Sequence, residues 1–461
     1  MKELAGRHRS CAGRDSGVMV AACALLVLTA VDVAPLAAQE TAGVTGPSGA
    51  EVELRRVTLE EALATARERN TDLGRAAARE RGARARSRAA SSFLWPHVEL
   101  ESGFTRSVDP VFAFGTKLRQ ERFREEDFSL ETLNDPAALD AWTNTARVEW
   151  GIASPRAWAA RGVAGSSAEA ARWQTERSRE ATDFRTKVLY FLAVGADAGL
   201  QAAAASEDAA RATVDRFRRR ADEGLLTEAD LLQAEAELDR HDARLQLGLH
   251  LGWSPETLPV PTDSLKTAPP PSLRGAATAG RADLRAREAA VEAAEARRQG
   301  ADLAYVPDLA AFAGYSIHGR DLFGDDGTDW SVGVALRWTL FAGLRRPAEA
   351  EAASAALEDA RLEHREAVRE ARGELQLTRR AVETAREGLE ASRSAREAAL
   401  AGRDLVRRRF EEGLATPSDL LQAEARAARM RSRAVEALAE YNIALARLTF
   451  VRAGSDREAS R

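Results

Sequence analysis

The hydrophobic positions along this chain repeat with two different periods. Long stretches rich in alanine, arginine, glutamate and leucine have the period of an α-helix, whereas four shorter segments alternate apolar and polar residues as a β-strand does. These segments are HVELESGFTRSV (97–108), WTNTARVEWGI (142–152), DLAAFAGYSIH (308–318) and WSVGVALRWTLF (330–341). The pattern predicts four strands, two in each half of the chain, inserted between helices. The loop joining the first pair, from about 109 to 140, is long, and the loop 320–329 is short.

Each predicted strand has one apolar and one polar face and a length suited to a membrane barrel. Four strands cannot close a barrel, and the backbone groups at an open sheet edge cannot stay unpaired in lipid. The sequence therefore predicts a homo-oligomer whose copies complete the sheet. The alternative is a soluble four-stranded sheet whose apolar face packs on the helices. The helices are too long to form a compact layer on so small a sheet, which favours the membrane interpretation.

Two very long helical hairpins are predicted. Residues 348–412 contain no proline and keep a helical pattern throughout, which corresponds to a helix of about 100 Å. A matching stretch covers about 156–222, and the returning helices are expected at 228–251 and 417–452. Alanine at the packed positions allows neighbouring helices to approach closely.

A sixteen-residue motif occurs twice, as EGLLTEADLLQAEAEL (223–238) and EGLATPSDLLQAEARA (412–427), which indicates an internal duplication. Each copy lies where an ascending helix must end. Glycine is expected there with a positive φ angle, and threonine is expected to cap the returning helix. The residues of the two turns are Gly224, Leu225, Leu226 and Thr227, and Gly413, Leu414, Ala415 and Thr416. The exposed leucines favour a docking surface, although a local cap contact is the alternative.

Each half also begins with a helix that ends at a proline. The segments are 58–96, which ends in WP, and 280–307, which ends in YVP. Proline cannot continue a helix and favours an extended conformation for the residue before it. Pro96 and Pro307 are therefore predicted to be helix-to-strand junctions.

The domain organisation follows from these elements. Residues 1–38, with Arg7, Arg9, Arg14 and a short apolar run, are typical of a secretory signal peptide. A weaker alternative is a lipoprotein in which Cys23 is acylated. The remaining segments are a flexible N-terminal segment (39–56), a first repeat (57–252), a Pro-rich linker (253–279), a second repeat (280–452) and a disordered tail (453–461).

The residues exclude several classes of function. The formal net charge is −5 and no concentrated basic face is present, so nucleic acid is not an expected partner. Both cysteines lie in the leader, and the histidines are scattered without metal-ligand spacing. No phosphate-binding loop or nucleophile elbow is present. We expect no cofactor, no metal and no enzymatic activity.

These features together resemble the TolC-like outer-membrane efflux proteins. The resemblance rests on TLEEALATARERNTDL (58–73), the WP and YVPDL junctions, RADLRAREAAVEAAEA (281–296), WSVGVALRWTLFAG (330–343) and the paired EGL…DLLQAEA turns. It implies a mainly α protein with a membrane β portion. The long hairpins would form a periplasmic tunnel, and four strands per chain would contribute to a twelve-stranded barrel in a homotrimer.

The resemblance also implies a function and partners. Such proteins are the outer-membrane exit ducts of tripartite export systems, with a periplasmic adaptor and an inner-membrane pump of RND or ABC type. The two turns would be the hairpin tips that contact the adaptor. Asp419 matches the first of two acidic residues at the periplasmic entrance, and Gln422 stands at the second, so a double acidic ring is absent.

Two questions stay open on the sequence alone. Three copies of Asp419 around one axis would repel one another and attract cations, but the same residue could simply cap a helix. The chain could also be a non-channel periplasmic scaffold or adaptor, and a channel of this kind could serve small-molecule efflux or protein secretion.

Overall fold

The computed structural model describes residues 53–218, 228–269 and 280–452. Its helices are α1 (Leu59–Arg69), α2 (Thr71–Ala90), α3 (Pro110–Arg119), α4 (Leu130–Asn134), α5 (Pro155–Arg218), α6 (Glu228–His250), α7 (Ala282–Asp302), α8 (Arg345–Glu411) and α9 (Pro417–Arg452). Its strands are β1 (Glu53–Val57), β2 (His97–Ser107), β3 (Leu139–Ala153), β4 (Thr257–Pro261), β5 (Asp308–Gly319) and β6 (Gly327–Arg337). The predicted leader and C-terminal tail lie outside the described residues.

Strands β2, β3, β5 and β6 form one antiparallel sheet in that order. The register pairs His97 with Glu149 in the first hairpin and Asp308 with Arg337 in the second. Glu149 in turn pairs with Phe312, so the first hairpin is offset along the sheet from the second by about four residues. The four predicted strands are therefore present. Strand β6 starts three residues earlier than the predicted segment and ends before Trp338, so the last part of WSVGVALRWTLF is not strand. The loop after β2 is not irregular throughout, because it contains α3 and α4.

The first predicted helix is interrupted, and Asn70 is the cause. The Asn70 side-chain oxygen accepts hydrogen bonds from the backbone N–H of Asp72 at 3.1 Å and of Leu73 at 3.2 Å, which caps the start of α2. The Asn70 side-chain amide donates to the backbone oxygen of His250 at 3.0 Å. The extended backbone at Asn70 (φ −64°, ψ 123°) ends α1, and its side chain begins α2 and ties this junction to α6.

A small parallel sheet of β1 and β4 was not predicted. Its register runs from Glu53 opposite Thr257 to Val57 opposite Pro261. Residues 53–56, assigned from the sequence to a flexible N-terminal segment, thus form most of a paired strand, and part of the predicted linker is its partner. The Asp263 carboxylate fixes the exit of β4, because it accepts hydrogen bonds from the Leu59 N–H at 2.8 Å and the Tyr190 hydroxyl at 2.7 Å.

The long helices pack side by side around small residues. Helix α8 has 67 residues and α5 has 64, close to the predicted lengths. Helix α8 packs against α9, and α5 packs against α2, α6, α7 and α9. A Cβ atom built on Gly300 of α7 would lie 3.0 Å from the Ala159 Cβ of α5, so these two helices approach as closely as their smallest side chains allow.

Two clusters of buried side chains stabilise the helical part. One surrounds Tyr190, Leu247 and Leu251 beside the small parallel sheet. The other lies between α8 and α9 and contains Leu389, Tyr441 and Leu448. No helix within residues 53–218, 228–269 and 280–452 has both the length and the apolar character needed to cross a membrane.

Candidate functional site

The apolar face of the four-stranded sheet is largely exposed in the described chain, with contacts to other segments at its two ends, from Asn144 to Leu322 and from Trp150 to Leu94. The side chains of Trp330, Val332, Val334 and Leu336 on β6 are between 64% and 73% exposed. The register places Val148, Ala311 and Ala313 on the same face as Val332. In a soluble sheet packed on helices these apolar side chains would be buried, so their exposure argues against that alternative. It leaves an exposed apolar surface of the kind that lipid covers, interrupted towards the loop end by Ser102 and Asn144.

The opposite face of the sheet is polar. Glu99 is paired with Arg147 across β2 and β3. The Thr145 and Ser316 hydroxyls lie 3.2 Å apart across β3 and β5. The two outer strands, β2 and β6, pair on one side only within the described residues. One chain therefore supplies a two-faced sheet with two free edges, and in lipid both edges need partners.

Both proline junctions are reinforced by the same contact. The Trp150 indole Nε1–H on β3 donates to the backbone oxygen of Leu94 at 3.2 Å, two residues before Pro96. The Trp338 indole Nε1–H, just after β6, donates to the backbone oxygen of Tyr305 at 3.1 Å, two residues before Pro307. Each junction is thus tied to the other strand of its hairpin. The sequence contained both tryptophans, but their partners depend on the strand register.

The turn at the end of α8 has the geometry that its glycine allows. Gly413 has φ 73°. The Gly413 N–H donates to the backbone oxygen of Phe410 at 3.0 Å, and the Leu414 N–H to that of Arg409 at 2.7 Å. These two bonds form a Schellman motif, which satisfies the last carbonyl groups of the helix. Leu414 is left 65% exposed beyond it, with half-buried Ala415 following.

Thr416 and Asp419 cap the start of α9 reciprocally. The Thr416 hydroxyl donates to Asp419 Oδ2 at 2.7 Å and the Thr416 N–H to the same atom at 2.9 Å, while the Asp419 N–H donates to Thr416 Oγ1 at 3.2 Å. The hydrogen bonds from the Thr416 hydroxyl and then its N–H hold the pKa of Asp419 below its usual range. Within one chain, Asp419 therefore acts as a helix cap.

Gln422 lies one helical turn beyond Asp419 and is also exposed. Its side-chain amide donates to the Ser418 hydroxyl at 3.3 Å. The structure therefore places Asp419 and Gln422 on one accessible face near the turn. The other turn, with Gly224, Leu225, Leu226 and Thr227, lies outside the described residues.

A charged contact next to the turn was missed by sequence reasoning. Arg407 Nη2 lies 2.5 Å from Glu424 Oε1, and Arg403 Nε lies 4.0 Å from Glu424 Oε2. The Glu424 side chain is only 11% exposed. Arginines of α8 thus hold a carboxylate of α9 just above the tip. Among so many charged residues, the sequence offered no signal that selects this contact.

No group of three or more His, Cys, Asp or Glu side chains suited to a metal ion occurs in the described parts of the chain. The architecture consists instead of a two-faced sheet with free edges, continued by very long helical hairpins. These features agree with the TolC-like fold that the sequence resembles.

The comparisons with known proteins support that class. Residues 273–453 match the family described as outer membrane efflux protein. This confirms the resemblance inferred from the sequence. The matched part spans the second repeat and the end of the linker before it. No curated protein matches the chain by sequence.

Solved structures match over most of the chain. The open state of the MtrE outer membrane channel of Neisseria gonorrhoeae has a TM-score of 0.71 and 19% identity, with 86% of this chain and 89% of that chain covered. The CmeC outer membrane channel of Campylobacter jejuni has a TM-score of 0.73 and 14% identity, covering 87% and 88%. The outer membrane protein VceC of Vibrio cholerae has a TM-score of 0.66 and 19% identity, covering 86% and 96%. The fold class predicted from the sequence is confirmed.

Proposed function

We propose that this protein is the outer-membrane exit duct of a tripartite export system. Three copies join their four-stranded sheets edge to edge into a twelve-stranded barrel in the outer membrane. The helical hairpins continue the barrel as a tunnel in the periplasm. Substrates pass through passively, because the energy comes from a partner and the chain itself carries no enzymatic activity.

The observation that carries this proposal is the exposed apolar face of a sheet with two free edges. A soluble scaffold would have to leave that face and both edges in water, at the risk of aggregation. Lipid covers the face and neighbouring copies pair the edges. The polar face then lines an aqueous pore, as in membrane barrels.

The hairpin tips are proposed to contact a periplasmic adaptor, which links the duct to an inner-membrane pump of RND or ABC type. One tip is the turn at Gly413, Leu414, Ala415 and Thr416, and the duplicated motif predicts the other at Gly224, Leu225, Leu226 and Thr227. Exposure of Leu414 and the ordered turn beneath it support this role. Asp419 and Gln422 are proposed to lie at the periplasmic entrance. Residues 1–38 are proposed to direct export as a signal peptide.

Conductance tests the duct directly. The mature protein, purified as an oligomer, is added to planar lipid bilayers, and we expect discrete single-channel steps. A periplasmic scaffold should give none. The oligomer should contain three copies by light scattering with correction for detergent. A monodisperse, water-soluble monomer that ignores lipid would disprove the proposal.

Partner identity is tested at the tip. A photo-crosslinking amino acid placed at Leu414 should capture an adaptor protein in cells. The same probe at Leu362, an exposed leucine on α8 about 75 Å from the tip at 1.5 Å per residue, is the matched control. Equal capture at both positions would remove the reason for assigning the tip a docking role.

A further inference from the structure

Helix α3 crosses the loop end of the sheet from one edge to the other. It begins at Pro110, just after edge strand β2, and ends near Gly327, the first residue of edge strand β6. Ten helical residues span about 15 Å, and the three intervals between four strands span about 14 Å. The helix therefore matches the width of the sheet.

The end of α3 lies on the polar face of the sheet. A Cβ atom at Gly327 would point to that face, because Gly327 is paired with His318, and it would collide with the backbone oxygen of Arg119. His318 and Ala141, both on the polar face, are buried. The loop thus folds over the side of the sheet that would line the pore.

Gln120 fastens α3 to the two central strands. It is 1% exposed, and its side-chain amide donates to the backbone oxygen of Gly319 at 3.0 Å and of Asp140 at 3.4 Å. Within α3, Lys117 Nζ donates to Asp127 Oδ1 of the following loop segment at 2.7 Å. The helix is therefore an anchored part of the fold.

The side of α3 that faces away from the sheet is apolar. Ala113, Thr116 and Gln120 form the buried side of the helix. The exposed apolar residues Val111, Phe114 and Leu118 lie about 155° around the helix from them, given 100° per residue. Val111 is 80%, Leu118 49% and Phe114 37% exposed, and the Phe114 ring also packs edge-to-face on Phe123, with 4.9 Å between the ring centroids. A stripe of this kind in water needs a partner.

The proposed trimer supplies that partner. Twelve strands about 4.8 Å apart and tilted by about 40° enclose a circle with a backbone radius of about 12 Å. A helix with its side chains is about 10 Å wide. Three such helices, each about 15 Å long, have together about the area of that circle, so at the mouth of the barrel they must meet near the common axis, towards which their outward stripes point.

We propose that the α3 helices of three copies meet through Val111, Phe114 and Leu118 and form an apolar constriction at the outer mouth of the duct. This inference rests on the proposed trimeric barrel. Apolar constrictions oppose ion flow because water leaves them readily. The constriction is separate from the hairpin tips at the other end of the molecule.

Leu118→Asp and Val111→Asp, measured as purified oligomers in planar bilayers, test the constriction. We expect each to raise the single-channel conductance about twofold or more, because a carboxylate ring keeps the mouth hydrated. The control is Leu130→Asp, which adds the same charge to an exposed leucine on α4 of the same loop and should leave the conductance unchanged.

Disulfide crosslinking provides a second test, whose result does not depend on whether the periplasmic end of the tunnel is open. The chain has cysteine only at positions 11 and 23, within the predicted leader. Leu118→Cys should therefore give disulfide-linked pairs of subunits when the oligomer is oxidised, since three Leu118 positions would converge on the axis.

The outcomes separate the two proposals. A conducting trimer whose conductance is the same in all variants, and in which Leu118→Cys forms no link, overturns the constriction and leaves the duct intact. A chain that neither forms trimers nor conducts overturns both. A link at Leu118 together with raised conductance in the aspartate variants supports both.

Discussion

The two halves of the chain build the same hairpin of strands but finish it differently. At the helical end, both place a tryptophan indole on the carbonyl group two residues before a proline. At the other end, β5 and β6 are joined by a short turn held by Arg320 and Asp326, with Arg320 N–H 3.0 Å from Asp326 Oδ2. Strands β2 and β3 are joined by a long loop that contains α3 and α4.

This comparison shows which parts of the hairpin are the same in both halves of the chain and which part differs between them. At the helical end, both halves change from helix to strand with the same geometry. In each half, an indole hydrogen bond stabilises that junction. The loop end carries no such requirement, since loops tolerate insertions. In the first half of the chain this loop contains α3, whose end lies against the polar face of the sheet.

The largest expected effect tests whether lipid covers the apolar face of the sheet and not the polar face. Val334→Arg on β6 should destabilise the inserted barrel by about 2–4 kcal/mol, because it places a charge in the middle of the lipid. Ala335→Arg, on the adjacent residue of the polar face, should cost little. Urea titration of the protein folded in lipid vesicles measures both. Equal destabilisation would mean that the two faces are not distinguished by lipid.

The next effect concerns the duplicated turns. Gly413→Val should cost about 1–3 kcal/mol, since a β-branched residue is strained at φ 73°. It should also make the duct leak or block adaptor-dependent export. Gly402→Ala, within α8 and without a neighbour in the way, is the control and should be neutral or stabilising. If the turns are equivalent, Gly224→Val should behave like Gly413→Val in export. Unchanged export and ion permeability in both would contradict the role of the tips.

The third prediction compares the two junctions directly. Trp150→Phe and Trp338→Phe should each cost about 1 kcal/mol, because each removes one hydrogen bond to a junction carbonyl. Trp330→Phe, on the outer face of β6, serves as the comparator and should cost less. Thermal or urea unfolding in lipid measures the three variants side by side. A large cost at one junction with none at the other would show that they are not equivalent.

The smallest effect concerns Asp419, whose position in the first copy of the duplicated motif is occupied by Asp230. Because hydrogen bonds lower the folded-state pKa of Asp419, its contribution to the cap is present above the usual carboxyl pKa and is lost as pH falls through the lowered value. Hydrogen exchange in the first turn of α9 should report this loss, and Asp419→Asn should remove its pH dependence.

Cation selectivity distinguishes capping from an entrance ring. If three Asp419 carboxylates converge in the trimer, mutual repulsion raises at least one pKa. The reversal potential in a salt gradient should then depend on pH in a range where an isolated carboxyl is already ionised. Asp419→Asn should abolish that dependence, whereas Asp230→Asn should preserve it. Identical reversal potentials in all three proteins would leave capping as the only role of Asp419.

Periodicity and proline predicted most of the architecture. The long helices have no competing signal over dozens of residues, so their ends fall within a few residues of the predicted limits. Pro96 and Pro307 lie between helix and strand, where backbone restriction places them. The turn at Gly413 was predictable because few residues other than glycine adopt its φ angle.

The missed features depend on distant partners or on weak local patterns. Strand β4, TLPVP, contains two prolines, which disfavour a strand unless one edge is free. Asn70 interrupts a helical pattern that continues on both sides of it. Helix α3 did carry a signal, since Asp109 followed by Pro110 is a typical helix start. Its crossing of the sheet could not be predicted, because it depends on a contact between Gln120 and Gly319, which are 199 residues apart in the sequence.

The unbroken length of α8 has a mechanical consequence. The helix starts just after Gly343, whose φ of 65° sets its direction, and runs without interruption almost to Gly413. It acts as a lever arm of about 100 Å, so a tilt of about 5° at Gly343 displaces the far turn by about 9 Å. A shift of that size can widen or narrow an aperture at the tips while every backbone hydrogen bond of the helix stays in place.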